Sequence, residues 1–128
     1  MTQWTNDQLD RIGRAEEVRI ESVGADGKLG KPVTIWAVRH GDGIYIRSVR
    51  GHKGRWYRGV QETKQGRIRG GGVQQDVTFT EADAGTEGQL DEAYRTKYGR
   101  YAGAILNSCL TPEARSATLR LVPRSESD

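Results

Sequence analysis

The stretch "PVTIWAVRHGDGIYIRSV", residues 32–49, predicts a β-hairpin and with it a chain rich in antiparallel strands. Two runs of β-branched and aromatic residues flank residues 40–43, His-Gly-Asp-Gly, whose residue types tolerate the positive φ of a tight turn. In the first run apolar side chains occur on both faces of the strand: Val33, Ile35 and Ala37 on one, Trp36 and Val38 on the other. Since a strand with two apolar faces needs cover on both sides, we expect this strand to lie in the centre of the sheet.

Upstream of the hairpin, the sequence predicts one helix and one strand. Thr5 and Gln8 have the spacing of a capping box, in which two side chains satisfy backbone N–H groups at the start of a helix. We expect this helix to cover residues 6–12, since Gly13 is a residue type that suits a helix end. The alternating apolar residues of "VRIESV", residues 18–23, predict the strand.

Downstream of the hairpin, the expected order is a short helix, two strands, a longer helix and a final strand. The short helix begins near Gly54, and the strand pair covers "RIRGGG" and "VQQDVTF", residues 67–79. "TEGQ", residues 86–89, repeats the capping-box pattern before a helix with tyrosines on one face: Tyr94, Tyr98 and Tyr101. "TPEARS", residues 111–116, predicts a helical turn, and "ATLRLVP", residues 117–123, predicts the last strand.

These elements define an α+β fold with a mostly antiparallel sheet of five or six short strands. A sheet of this kind can curl into a small, partly closed barrel. The chain has 128 residues, which favours a single domain, and we place that domain at residues 1–123. The polar residues 124–128 are expected to form a disordered tail.

Composition argues against several classes of protein. No apolar run approaches the roughly 18 residues that a membrane-spanning helix needs, and the N-terminal residues lack the pattern of a signal peptide. The single cysteine, Cys109, has no partner for an internal disulfide, so we expect a cytoplasmic location. His40, His52 and this cysteine lack the spacing of a zinc site, so we predict no metal site.

Positive charge is concentrated in one segment of the chain. The formal net charge is only +3, but residues 47–69 contain eight lysines and arginines and a single acid, Glu62. Acidic residues on both flanks of this segment balance the total. A local excess of this kind favours a local anionic ligand over a polyanion that spreads across the whole surface.

The centre of this segment is "GHKGRWYRG", residues 51–59, which follows the second hairpin strand. A loop that enters a helix offers unpaired backbone N–H groups and the positive end of the helix dipole, an arrangement that suits a phosphate. The candidate phosphate contacts are one hydroxyl and three cations: Ser48, Arg47, Lys53 and Arg55. Trp56 and Tyr57 could flank a planar ring or anchor the helix to the sheet, and the whole segment could instead be a solvated basic surface.

Residues 44–83, "IYIRSVRGHKGRWYRGVQETKQGRIRGGGVQQDVTFTEAD", resemble the corresponding part of the deazaflavin-dependent nitroreductase family. In that family a strand leads into a basic loop, a Trp-Tyr helix start, a short strand ending in Gly-Gly and a further strand. Residues 51–53, Gly-His-Lys, also stand where pyridoxamine-phosphate oxidases carry a Ser-x-Lys motif that holds flavin phosphate. Nearly the whole chain is similar to a family of small bacterial proteins labelled as a domain of unknown function, through "IWAVRHGDGIYIRSVRG", "WYRG", "GRIRGGG" and "AYRTKYG".

The resemblance implies an FMN-binding split barrel that binds FMN or a deazaflavin and reduces a small molecule. In such proteins the cofactor carries the hydride chemistry, while the protein holds and orients it. Carried over position by position, the resemblance implies four phosphate contacts and two wall residues: Arg47, Ser48, Lys53, Arg55, Trp56 and Tyr57. Relatives with this barrel are often dimers with the cofactor at the interface, so a homodimer is implied as well.

Two alternatives remain open. The chain could be a non-enzymatic module whose basic loop binds another anion, although its few aromatic residues (7%), mostly at core-like positions, argue against nucleic acid. It could also be a relative that keeps the fold without a cofactor.

Overall fold

The β-branched and aromatic segments form seven strands in the computed structural model, which describes residues 3–101 and 103–124. The strands are β1 (Val18–Ser22), β2 (Val33–Ile35), β3 (Ala37–His40), β4 (Gly43–Arg47), β5 (Gln65–Gly70), β6 (Val73–Glu81) and β7 (Thr118–Pro123). They pair antiparallel in the order β2-β1-β5-β6-β7-β4-β3. The sheet curls into a nearly closed barrel, which confirms the expected α+β fold with a mostly antiparallel barrel. It has seven strands rather than the expected five or six, because the first hairpin run is divided into β2 and β3.

Five α-helices accompany the sheet within the described residues. They are α1 (Asn6–Arg14), α2 (Arg55–Thr63), α3 (Glu87–Tyr98), α4 (Ala104–Asn107) and α5 (Pro112–Ser116). None of them is long and apolar enough to cross a membrane. Of the tail predicted at residues 124–128, only Arg124 is described, and its backbone N–H donates to the Asp76 carbonyl; the rest lies outside the described residues.

The hairpin prediction is confirmed, but the prediction that its first strand is central is wrong. β3 and β4 pair across the turn from His40 to Gly43, with Gly41 at a φ of 58°. Trp36 interrupts the predicted strand, so that β2 and β3 lie at opposite edges of the sheet. Both faces of β3 are nevertheless covered, because Ala37 faces the barrel core and Val38 belongs to a cluster that includes residues of α3. Barrel curvature therefore gives an edge strand the two apolar faces that are typical of a central strand.

Two hydrophobic clusters hold the fold together. The larger fills the barrel with side chains from the strands and α1, and Trp4 adds a hydrogen bond from Nε1 to the Leu121 carbonyl at 2.9 Å. The smaller lies outside the barrel, where α3 covers β3 and β4 with three residues of one face: Leu90, Tyr94 and Tyr98. The sequence periodicity correctly places these tyrosines on a buried helix face.

The first helix confirms the predicted capping box but not the predicted end. The Gln8 backbone N–H donates to Thr5 Oγ1, and the Thr5 N–H donates to Gln8 Oε1. The helix continues through Gly13 to Arg14. Gly13 instead permits close packing, because a Cβ at this position would lie only 3.3 Å from the Cβ of Arg39 on β3.

The third helix begins after Thr86 as predicted, but its predicted capping box does not form. A 3-10 turn over Ala84–Thr86 leads directly into α3, and Thr86 itself has φ −94° and ψ −2°. Its hydroxyl donates to the Asp83 carbonyl at 2.6 Å instead of accepting from the helix. The capping-box pattern requires an extended residue at the start, and the preceding turn removes that conformation.

Candidate functional site

A cavity of about 810 Å³ opens beside the end of β4 and the start of α2. β1 and β2 contribute one wall, and α3 and α4 contribute residues to another. The volume lies within the range of roughly 300–1,000 Å³ that is typical of small-molecule sites. The basic loop predicted to hold an anion therefore borders a concave space large enough for an organic cofactor.

The start of α2 faces this cavity. The helix begins after Gly54, as the sequence predicts, and no side chain caps it. Its first turn contains no acidic residue, so the positive end of the helix dipole is not neutralised from within the helix. Arg55 and Trp56 occupy the first helical positions, whose backbone N–H groups have no partner inside an α-helix, and both residues line the cavity.

Gly54 is required for this arrangement because Ser48 packs directly against it. A Cβ at Gly54 would collide with the Ser48 hydroxyl oxygen. Ser48 is buried, and this hydroxyl donates to the Gly51 carbonyl at 2.8 Å. The Ser48 side chain therefore holds the loop that leads into α2 while it also lines the cavity.

Three exposed cations line the cavity: Lys31, Arg50 and Arg55. Within the described residues, none of them forms an ion pair with an acidic side chain. Glu17 is the one acidic residue among those that line the cavity. The mouth of the cavity therefore carries an excess of positive charge that the protein itself leaves without counter-charge.

Arg47 also lines the cavity, but its charge is used inside the protein. It is only 2% exposed, and its Nη1 lies 2.5 Å from Asp91 Oδ1. The remaining guanidinium hydrogen bonds go to β7 and to two backbone carbonyls: Thr118 Oγ1, Cys109 O and Glu87 O. The guanidinium also lies over the Tyr94 ring, 5.2 Å from its centroid. Arg47 thus ties β4 to α3, β7 and the segment after α4.

Asp91 is the acidic centre of this internal network. Besides the single contact from Arg47, it accepts two contacts from Arg115, whose Nε and Nη2 lie 2.9 and 2.7 Å from Oδ2. Burial alone would raise the pKa of Asp91, but hydrogen bonds from Arg115 and Arg47 outweigh this effect and lower the pKa below its ordinary value. The carboxyl group is therefore ionised at neutral pH and partners two arginines.

The six residues predicted as contacts fall into two groups. Arg47, Ser48, Arg55 and Trp56 line the cavity, whereas Lys53 and Tyr57 are not among the residues of its wall. Lys53 is exposed at the end of the 3-10 turn over Gly51–Lys53. Tyr57 is buried in the barrel cluster and meets His52 edge-on, so it anchors α2 to the sheet.

Several cavity residues escape prediction from the sequence because they come from distant segments. Trp36 stacks on Tyr98 with ring centroids 3.9 Å apart, and it lines the cavity from the break between β2 and β3. Tyr94 contributes from α3, with a buried hydroxyl that has no hydrogen-bond partner among the described residues. Burial raises the pKa of Tyr94 far above its ordinary value, so this hydroxyl stays protonated. Arg50 is the one of these residues that the sequence could have identified as a cavity residue, since it lies between the second hairpin strand and the loop glycine.

The described residues contain no group of three or more His, Cys, Asp or Glu side chains that could hold a metal ion. The candidate site combines an open helix start, nearby cations and an aromatic and aliphatic wall.

The fold is similar to that of several solved structures at low sequence identity. A pyridoxamine-phosphate-oxidase-like protein from Listeria innocua is 12% identical, with a TM-score of 0.65 over 94% of this chain and 93% of that one. An F420-H2-dependent reductase is 18% identical, with a TM-score of 0.61 over 84% of this chain and 93% of that one. The heme storage protein HutZ from Vibrio cholerae is 13% identical, with a TM-score of 0.61 over 96% and 92%. These similarities establish the fold alone, and they confirm the split barrel.

Among curated proteins, no relative matches the chain. One family profile matches residues 8–121, which is most of the sequence and includes the loop, α2 and the cavity strands. The similarity to a bacterial family of unknown function is thereby confirmed. The chain belongs to the family described as "Uncharacterized protein conserved in bacteria (DUF2255)".

Proposed function

We propose that this protein binds a flavin-type cofactor, FMN or a deazaflavin, with the cofactor phosphate at the start of α2. The observation that carries the proposal is the open helix start at Gly54, which faces a cavity of about 810 Å³ beside cations without counter-charge. Backbone N–H groups and the helix dipole favour an anion at such a position. The volume admits the remainder of an organic cofactor.

The proposed phosphate contacts are the hydrogen-bond donors near the start of α2 that have no partner within the described residues. The backbone N–H groups of Arg55 and Trp56 are available in the first turn of α2. Arg50 and Arg55 supply charge and side-chain donors from either side of the loop, and Lys31 adds charge from the segment before β2. Lys53 contributes charge from outside the cavity.

Two buried residues position these contacts. Arg47 fixes the end of β4 through its bond to Asp91. The Ser48 hydroxyl fixes the loop through the Gly51 carbonyl. A phosphate site built on such supports is held in place before any ligand arrives, which reduces the cost of ordering on binding.

The ring of the cofactor has an aromatic and aliphatic environment. Trp36 and Trp56 line the cavity from different elements, and Val33 and Ile35 add aliphatic surface. Tyr57 is buried, and its ring meets that of Trp56 edge-on with centroids 6.2 Å apart. A planar ring beside these side chains would be shielded from water on part of its surface.

The reaction that we propose is the reduction of a small molecule. A bound flavin or deazaflavin supplies hydride transfer. The chain contributes binding, orientation and exclusion of water.

We also propose that the protein is a homodimer, on the basis of two exposed apolar side chains at the cavity. Val49 is 48% exposed and Ile105 is 61% exposed, and both line the cavity. A second copy of the chain over this rim would bury them and close the site. Analytical ultracentrifugation should show a dimer at micromolar concentration, and a monomer under these conditions contradicts this part of the proposal.

The proposal is tested by titrating the purified apoprotein with FMN and with a deazaflavin cofactor. Because Trp36 and Trp56 line the cavity, binding should quench tryptophan fluorescence and raise the midpoint of thermal unfolding. An ATP titration serves as a control for unspecific attraction of phosphates. If neither cofactor changes fluorescence or thermal stability, the proposed function is wrong, and the cofactor-free alternative gains support.

A further inference from the structure

Gly59 lies inside α2, where a glycine is unfavourable. The helix runs over Arg55–Thr63, so Gly59 is in its interior rather than at a cap. Glycine is among the least favourable residues in a helix interior because its backbone loses the most conformational freedom. Its presence at this position therefore calls for a physical reason.

The packing of the protein itself does not supply that reason. A Cβ at Gly59 would have one near neighbour, the Ser22 hydroxyl oxygen at 3.4 Å, which is an ordinary contact distance. Gly66 differs, because a Cβ there would collide with the Glu21 carbonyl of the neighbouring strand. An alanine at position 59 thus fits the protein without strain, whereas an alanine at position 66 does not.

The absence of a side chain at Gly59 enlarges the cavity. Gly59 and Ser22 both line it, so the missing side chain leaves open the corner between α2 and β1. Gly59 also follows Arg55 by one helical turn on the same face of α2. A rise of 1.5 Å per residue places Gly59 roughly 6 Å along the helix from Arg55.

We propose that Gly59 determines the specificity of the site by admitting the organic part of the ligand against the backbone of α2. This inference rests on the proposed function, because it takes the ligand phosphate to lie at the start of the helix. The ligand then runs along α2, and its first roughly 6 Å beyond the phosphate pass the open surface at Gly59. The site is therefore built for a phosphate ester with an extended organic group rather than for free phosphate.

The test compares the same substitution at two helical glycines. Gly88 lies in α3, does not line the cavity, and a Cβ there would have no neighbour within 4 Å. Gly59→Ala and Gly88→Ala are each titrated with FMN, with a deazaflavin cofactor and with inorganic phosphate. Thermal unfolding of the ligand-free variants is measured in parallel.

We expect Gly59→Ala to weaken binding of the cofactor by roughly tenfold or more, the usual scale for one carbon atom forced into a fitted contact. Its affinity for inorganic phosphate should equal that of the wild type, because the phosphate position is untouched. Its unfolding midpoint without ligand should be equal to or higher than that of the wild type. Gly88→Ala should change neither affinity.

Three results would overturn the inference, and they are distinguishable from failure of the proposed function. If the wild type binds a cofactor and Gly59→Ala binds it equally well, Gly59 does not shape the site, while the proposed function stands. If Gly59→Ala lowers the unfolding midpoint without ligand, the glycine serves the fold. If the wild type binds neither cofactor, the proposed function fails and the inference fails with it.

Discussion

Arg47 and Arg55 line the same cavity, but their environments are opposite. Arg47 is buried and bonded to Asp91, whereas Arg55 is exposed and has no acidic partner among the described residues. The two arginines lie in one basic segment of the sequence and look equivalent there. A cation close to a cavity can therefore serve the fold or a ligand, and the partners that it already has inside the protein distinguish the two cases.

The energetic consequences of this contrast differ in kind. A buried charge that loses its partner costs several kcal/mol, because the remaining charge is left without solvent. An exposed charge without a partner is solvated, so its removal hardly affects stability. Substitutions in the internal network of Arg47, Asp91 and Arg115 should therefore change the free energy of unfolding. Substitutions of the open cations, Lys31, Arg50 and Arg55, should change ligand binding.

The largest effect is expected for Asp91→Asn, which leaves Arg47 buried without a counter-charge. We expect a loss of roughly 3–5 kcal/mol in the free energy of unfolding, measured by urea denaturation. Glu92→Gln is the matched control, because Glu92 is exposed and its ion pair with Arg95 spans 3.5 Å. That control should change stability by less than about 0.5 kcal/mol. Equal losses of stability in both variants would show that Asp91 does not offset a buried charge.

The next effect is expected for Arg55→Ala at the open helix start. Loss of a charged hydrogen bond should weaken FMN or deazaflavin binding by roughly 10- to 100-fold, with stability within about 0.5 kcal/mol of the wild type. Arg58→Ala is the control on the same helix, since Arg58 is exposed and does not line the cavity. Isothermal titration calorimetry measures both variants, and an unchanged dissociation constant for Arg55→Ala argues against a phosphate at this position.

The stability that the internal network provides should depend on pH through Asp91, whereas the open cations keep their charge over the same range. The folded protein lowers the pKa of Asp91 below its unfolded value, which is near 3.8. The resulting stabilisation is present above this value and is lost as the pH falls through the folded pKa. Urea denaturation between pH 2 and 7, about the range in which such groups titrate, should show a steeper acid loss for the wild type than for Asp91→Asn. Parallel curves of stability against pH for the two proteins would mean that a group other than Asp91 causes the loss of stability in acid.

The smallest effects are expected for two buried tyrosines of α3, which differ in whether the hydroxyl has a hydrogen-bond partner. The Tyr98 hydroxyl lies 2.9 Å from the Glu16 carbonyl and 3.1 Å from the Ala37 carbonyl, whereas the Tyr94 hydroxyl has no partner among the described residues. Tyr98→Phe should lower the free energy of unfolding by about 1–2 kcal/mol, and Tyr94→Phe should leave it within about 0.5 kcal/mol. Urea denaturation measures both, and a comparable loss in Tyr94→Phe would show that its hydroxyl is bonded in solution.

Features governed by neighbouring residues could be predicted from the sequence. The capping box at Thr5, the turn at residues 40–43 and the start of α2 after Gly54 depend on short-range spacing. The basic loop and its position at a helix start were predicted for the same reason. The third helix shows the limit, because the 3-10 turn before Thr86 changes the backbone that the capping pattern requires.

Features governed by long-range contacts could not be predicted. The split of the first hairpin strand at Trp36 depends on barrel closure, which brings β1 and β5 between β2 and the rest of the sheet. The role of Arg47 depends on Asp91, which lies on α3 far along the chain. Lys53 and Arg50 look interchangeable in the sequence, and only the turn over Gly51–Lys53 places Arg50 at the cavity and Lys53 outside it.

A phosphate site at the start of α2 is tested by ligands that differ only in their phosphate. FMN and riboflavin carry the same ring, and a deazaflavin cofactor can be compared with its phosphate-free form in the same way. We predict that the wild type binds one of the phosphate-bearing ligands at least about tenfold more tightly than its phosphate-free counterpart, and that Arg55→Ala reduces this preference while Arg58→Ala keeps it. Equal affinities with and without the phosphate, or no binding of either pair, would show that the start of α2 is not a phosphate site.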